Sequence, residues 1–238
     1  LKAVYFTELI ETYRGVLGFS AQHSLFITSA GAVYATGYNN YGALGLGDNT
    51  DRNVPTLITT LTNIVAVSTG YYHSLFLTST GAVYATGWNN SGQLGLGDNI
   101  DRNVPTLLPN LTNIVAVSAG IYHSLFLTST GAVYATGDNS NGALGLGDTT
   151  DRNVPTLIPT PTLSNVSAIS AGANSSLFLI GGMGYATGYN YYGQLGLGDN
   201  TNRNVPTPIP TTLPYIVAIS SGVYSSLFLT NAGTVYGT

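Results

Sequence analysis

The chain has 238 residues, 44% of them apolar, with only 7% Asp, Glu, Lys or Arg and a net charge of −4. An ordinary soluble domain is about 25% charged, so a disordered polyelectrolyte, a coiled coil and a basic nucleic-acid binder are excluded, and nucleic acid is not an expected partner. There is no cysteine for a disulfide or a thiolate metal site, and no apolar run reaches the about 18 residues of a membrane span.

The chain opens Leu1-Lys2-Ala3, with neither an initiator methionine nor a signal-peptide core, as a processed chain or an excerpt would. It then repeats itself. His-Ser-Leu-Phe starts at His23, His73 and His123, and Ser-Ser-Leu-Phe follows at Ser175 and Ser225, in steps of 50, 50, 52 and 50. Gly-(Ala/Gln)-Leu-Gly-Leu-Gly-Asp recurs from Gly42, Gly92, Gly142 and Gly193, and Arg-Asn-Val-Pro from Arg52, Arg102, Arg152 and Arg203. Lys2 stands as far before His23 as Arg52 before His73, which marks residues 1–22 as a decayed copy. The expectation is one repeat domain over 1–238, with units at about 1–51 (degenerate), 52–101, 102–151, 152–202 and 203–238.

Within a unit the elements follow one order. Val54 to Ile58 opens on Pro55, which a sheet tolerates only at a strand start or an edge. Asn63 to Ser68 is a β-branched apolar run, and His73 to Thr78 and Ala82 to Thr86 flank the turn Ser79-Thr-Gly81. Helical periodicity appears nowhere. Five units of four strands predict twenty strands, in an all-β array of five four-stranded antiparallel blades. Four-stranded repeats of about 50 residues are the pattern of a β-propeller. Alternation predicts that one of each pair Leu25/Phe26, Leu75/Phe76, Leu125/Phe126, Leu177/Phe178 and Leu227/Phe228 faces each side of its sheet, mostly into inter-blade cores.

These motifs, in fixed order, resemble the regulator of chromosome condensation repeat family. The resemblance implies a ring of about seven blades, so five units imply an excerpt of such a ring, an incomplete ring completed by further repeats or copies, or, alternatively, a closed five-bladed ring. It also implies guanine-nucleotide exchange on the small GTPase Ran, which the founding member performs with a loop insertion. No unit here has room for that insertion, and Thr36, Thr86, Thr136 and Thr187 replace the family's usual aromatic residue. The resemblance therefore transfers the fold and transfers exchange poorly.

Candidate site residues fall into three sets. His23, His73 and His123 occupy one position in successive units, too far apart to share a metal ion, so they are expected to tie neighbouring backbone. Arg52, Arg102, Arg152 and Arg203 recur beside Asp48, Asp98, Asp148 and Asp199, and are expected to act as structural forks at blade junctions; calcium at these aspartates is the alternative. Recurring acids are the wrong shape for a single catalytic pair, and no nucleophile elbow or phosphate loop is present, so neither an enzyme nor a cofactor is expected.

The third set is what varies between copies. The segments Tyr38-Asn-Asn-Tyr41, Trp88-Asn-Asn-Ser91, Asp138-Asn-Ser-Asn141 and Tyr189-Asn-Tyr-Tyr192, with the residues before each His-Ser strand, swing from Trp to Asp and should face solvent or a ligand. Tyr38, Tyr41, Tyr71, Tyr72, Trp88, Tyr122, Tyr189, Tyr192 and Tyr224 are the candidate binding residues. The leading expectation is a non-catalytic scaffold presenting loop faces to a protein partner. A surface or structural protein assembling through repeat edges is the second, and the low charge with high Thr, Asn and Gly content fits extracellular or surface material. An exchange factor and a multivalent lectin-like binder of glycans are the others. Sequons at Asn89, Asn110, Asn165 and Asn174 permit glycosylation.

Overall fold

The computed structural model describes residues 21–159, 163–210 and 213–238, together with the backbone of 13–16. The decayed first copy, including Lys2, otherwise lies outside the described residues. Among these residues there is no helix, and nineteen strands form five antiparallel sheets in chain order. The first sheet holds β1 (Tyr13–Val16), β2 (His23–Thr28), β3 (Val33–Gly37) and β4 (Arg52–Leu57). The second holds β5 (Ile64–Thr69), β6 (His73–Thr78), β7 (Val83–Gly87) and β8 (Arg102–Leu107). The third holds β9 (Ile114–Ala119), β10 (His123–Thr128), β11 (Val133–Gly137) and β12 (Arg152–Leu157). The fourth holds β13 (Ala168–Ala171), β14 (Ser175–Ile180), β15 (Met183–Gly188) and β16 (Arg203–Pro208). The fifth holds three strands, β17 (Ile216–Ser221), β18 (Ser226–Thr230) and β19 (Val235–Gly237).

This grouping corrects the sequence reading. The Arg-Asn-Val-Pro strand does not begin the sheet of its own unit; it pairs with the Val-Tyr strand of the preceding repeat, Gly37 opposite Arg52 and Tyr34 opposite Leu57. The sheets therefore cut the chain after 57, 107, 157 and 208 rather than before 52, 102, 152 and 203, and the fifth sheet shows three strands, not four. The physical reason is the proline. Pro55, Pro105, Pro155 and Pro206 lack a donor and need an edge, and in the first four sheets their strands form the outer edge, with Val54, Val104, Val154 and Val205 exposed. Strands β5, β9, β13 and β17 lie at the opposite edge, next to one another.

Each pair of consecutive sheets encloses one apolar cluster. Leu25, Ile27, Val33 and Ala35 meet Phe76, Ile64 and Val67; Leu75 meets Phe126, Leu125 meets Phe178, and Leu177 meets Phe228. The leucine of each Leu-Phe pair thus faces the following sheet and the phenylalanine the preceding one, as strict alternation requires. At the two ends the rule shows its complement: Phe26 is only half-buried, and Leu227 is 48% exposed while its neighbour Phe228 is 1% exposed. Among the described residues no strand pairing and no cluster joins the fifth sheet to the first, so the sheets form an open arc of a propeller.

Candidate binding face

Hairpin register gathers the two variable stretches onto one end of the arc. His23 lies opposite Gly37 and His73 opposite Gly87, so the residue before each first strand meets the residue after each second. The amides of Tyr38, Trp88, Asp138 and Tyr189 donate to the carbonyls of Gln22, Tyr72, Tyr122 and Asn174 at 2.8–3.0 Å. Four positions are thereby equivalent, and three carry rings while the third blade carries Asp138.

The rings form two groups. In the first, Tyr72 lies 4.1 Å from Tyr71, 5.2 Å from Tyr38 and 4.9 Å from Tyr41 (centroid to centroid). Trp88 continues the row, 6.0 Å from Tyr41 and 5.4 Å edge-on from Tyr122. All six are half-buried. The second group is Tyr189, Tyr191, Tyr192 and Tyr224, with Tyr192 5.1 Å from Tyr191 and 5.0 Å from Tyr224. Tyr191, Tyr192 and Tyr224 are exposed. The structure thus brings all nine candidate rings to one face and divides them six and three; Tyr191 joins the three and was not singled out from sequence. The hydroxyl of Tyr71 beside it holds the Tyr72 phenol up at about 12, and desolvation, then the neighbouring tyrosines, raise that of Tyr189. Both stay neutral at any physiological pH.

The loops that carry these rings are not free throughout, which corrects the expectation that their residues face outward. Asn39, Asn89, Asn139 and Asn190 are completely buried. Asn89 Nδ2 donates to the Asp98 and Ile100 carbonyls at 2.9 and 3.2 Å, its Oδ1 accepts the Leu94 amide at 2.9 Å, and its own amide donates to Asp101 Oδ1 at 2.7 Å. The signal was available: this Asn is the one position of the variable run identical in all four copies. Its burial also closes the sequon at Asn89.

The arginines finish the same loops. Arg52, Arg102, Arg152 and Arg203 each place Nη2 2.6 Å from Asp48, Asp98, Asp148 and Asp199, and Nη1 on the carbonyl two residues earlier. The fork thus closes on its own loop, four residues back, rather than across the junction between blades. Arg52 first and then the Thr50 amide hold the Asp48 carboxyl below its usual range, as Arg203 and the Thr201 amide do for Asp199; for Asp98 and Asp148 the backbone amide leads. The junction itself is crossed by backbone and small side chains. Gly47 donates to the Asn103 carbonyl at 2.8 Å, and Thr86 Oγ1 contacts the carbonyls of Gly42 and Arg102 at 3.0 and 2.7 Å. A Cβ on Gly92, whose φ is +80°, would sit 2.5 Å from the Cα of Asn153, so only glycine allows this approach.

The histidines link blades from inside. His23, His73 and His123 are buried, and each Nε2 lies 2.7–3.0 Å from Ser74, Ser124 or Ser176 of the next blade. Each serine donates its own proton onward to a loop carbonyl, Ala43, Gln93 or Ala143. The serine must therefore accept from the histidine, which fixes the Nε2–H tautomer. Burial pushes the imidazoles down, to about 4 for His23 and His123 and about 3 for His73. In the fourth blade Ser175 takes the place of histidine and lies 3.3 Å from Ser221.

A frame of this kind has known counterparts. The profile of the RCC1-like domain matches residues 7–178, and that of the regulator of chromosome condensation (RCC1) repeat matches 182–229. The chain belongs to the RCC1-like domain family. Among solved structures it is similar to human WBSCR16, 28% identical with a TM-score of 0.78 over 91% of this chain and 59% of that one. It is similar in fold to Prp20p of Saccharomyces cerevisiae, described with its binding to Gsp1p and histones, at 24% identity and a TM-score of 0.78 over 90% and 55% of the two chains. A 55-residue stretch is 38% identical to the Arabidopsis thaliana ultraviolet-B receptor UVR8, over 21% of this chain and 12% of the receptor. This RCC1-like chain thus spans little more than half the length of these two solved chains.

Proposed function

We propose that this RCC1-like arc is a non-catalytic scaffold that presents its ring-bearing loop face to a protein partner, and that the histidine, arginine and buried asparagine sets serve the frame. An RCC1-like propeller suits an interaction scaffold or an exchange factor. The observation that favours the scaffold is the unbroken row from Tyr71 to Tyr122, which crosses three blades on one face. Half-buried aromatic rings on rigid loops supply large contact area at small entropic cost, the mark of a binding hot spot. Exchange is disfavoured because the connection after the second hairpin strand has the same length in the first four blades and closes in each on the same bond from a leucine amide to the buried asparagine, with no inserted loop.

The test compares proteins retained by the intact chain, by a Tyr72→Ser/Trp88→Ser variant, and by a Thr80→Ala/Thr130→Ala variant at the opposite end of the hairpins. A partner lost from the first variant and kept by the second supports the reading; loss from neither overturns it. One observation favours a second reading, assembly of further copies of this chain through the exposed sheet at the end of the array. The outer side of the fifth sheet exposes Leu227, Leu229 and Val235, which in the other sheets correspond to core positions. A solution mass equal to one 24.7 kDa chain, with no concentration dependence, overturns that reading.

A further inference from the structure

The break in the ring row carries chemical information of its own. At the position equivalent to Tyr38, Trp88 and Tyr189 the third blade places Asp138, half-buried, its amide bonded to the Tyr122 carbonyl at 2.9 Å. Tyr122 in turn lies edge-on to Trp88 at 5.4 Å. Asp138 is therefore the residue next to Tyr122 at the end of the six-ring row, on the side toward the second group of tyrosines, with its carboxylate accepting from the Ser140 amide and hydroxyl at 3.3 and 3.1 Å.

A second juxtaposition repeats the pairing. A cavity of about 210 Å³ opens between the first two blades, lined by Tyr41, Asn49, Asp101, Arg102, Asn103 and Val104. Arg102 is held by Asp98 at 2.6 Å, so the uncompensated charge at this cavity is that of Asp101. The same accounting holds across the face. Eight aspartates lie among the described residues; Asp48, Asp98, Asp148 and Asp199 are each neutralised by an arginine, leaving Asp51, Asp101, Asp138 and Asp151 without a guanidinium partner.

Electron-rich rings beside unneutralised carboxylates select cations: the ring face attracts positive charge, and the carboxylate gives it direction. Arginine fits best, because its planar guanidinium stacks on a ring while its edge meets a carboxylate. Resting on the scaffold reading above, we propose that the face recognises an arginine-rich peptide segment of the partner, with Asp138 and the Trp88–Tyr122 pair holding one guanidinium and Tyr41 with Asp101 another. Among the described residues, a second copy of this chain offers no uncommitted guanidinium. The four arginines whose side chains are described are all committed to their own loops.

Trp88 is the chain's one tryptophan and lies in the row, so its emission reports binding directly. The probes are octapeptides alternating Arg with Gly, Glu with Gly, and Asn with Gly, titrated onto the whole chain at low and at raised salt. The Arg peptide is expected to give a saturable change that weakens as salt screens it, and the other two none. Asp138→Asn, which keeps an oxygen to accept from the Ser140 amide, is expected to weaken the Arg peptide about fivefold at an unchanged melting temperature. Asp138→Arg is expected to abolish its binding. No saturable change with the Arg peptide, equal binding of the Glu peptide, or an unaltered affinity in Asp138→Asn each overturns the proposal. A partner lost from Tyr72→Ser/Trp88→Ser but untouched by Asp138→Asn would overturn it too, while leaving the scaffold reading in place.

Discussion

Replacing Asn89 by alanine removes the centre of one loop, and the structure sets the size of the effect. The Leu94 amide, on a residue with no exposure, loses its only acceptor and stays buried; an orphaned buried donor costs about 1–3 kcal/mol. The Asp98 carbonyl loses its donor as well, but it borders solvent and water replaces most of that loss, while the Ile100 carbonyl keeps Arg102 Nη1 at 2.6 Å. A destabilisation of about 2–3 kcal/mol is expected. Asn89→Asp is expected to be no milder. It keeps an acceptor for Leu94 but sets a second carboxylate where the amide now donates to Asp98 Oδ1 at 3.2 Å. Asn90→Ala, one residue on and exposed, should stay within about 0.5 kcal/mol of the parent. Urea titration followed by Trp88 emission measures the three, and the adjacent indole makes the readout local, which matters in an array whose repeats need not unfold together. An Asn89→Ala midpoint indistinguishable from that of Asn90→Ala would refute the reasoning.

Three further outcomes are expected. Stability should fall between pH 7 and pH 5, because His23, His73 and His123 are neutral when folded and take up protons near 6.5 when unfolded; the unfolded state binds more protons in this window, at about 1.4 kcal/mol per pH unit per histidine below 6.5. The paired aspartates titrate below 3.8 and lose their contribution only at lower pH, so denaturant midpoints equal at pH 7 and pH 5 would contradict the histidine assignment. Phe126→Ala, in the core between the second and third sheets, should cost about 3–5 kcal/mol by thermal or urea unfolding, whereas Leu227→Ala, 48% exposed on the outer side of the fifth sheet, should cost well under half of that. The purified chain should leave nucleotide release from a Ran-like GTPase unchanged in a labelled-nucleotide assay, and about a hundredfold acceleration, some 2.7 kcal/mol of barrier, would show the exchange reading to be right after all.

The sequence alone determined the class and the local chemistry. Strand identity follows from alternation over a few residues, so His-Ser-Leu-Phe and Val-Tyr read as a hairpin and Leu75 and Phe76 fall on opposite faces from the chain alone. Repetition did the rest, since a near-constant step of four strands names the propeller. The nine candidate rings were legible as a set because drift among near-identical copies marks positions the core does not fix.

What the tertiary structure decided was phase and depth. A periodic sequence looks the same wherever the repeat is cut, so it cannot say whether Arg52 to Leu57 pairs backward with β3 or forward with β5; pairing across the 38–51 connection depends on that loop closing around the buried Asn39, a non-local fact. The same loop shows why variability misled. Its outer side chains answer to solvent and its asparagine to the Leu44 amide beneath, and a run of mixed residues carries no period that separates the two. The repeat spacing showed that Asp138 replaces a ring, but its place beside the row exists only in space, because residues 88, 122 and 138 become neighbours through hairpin register and blade packing.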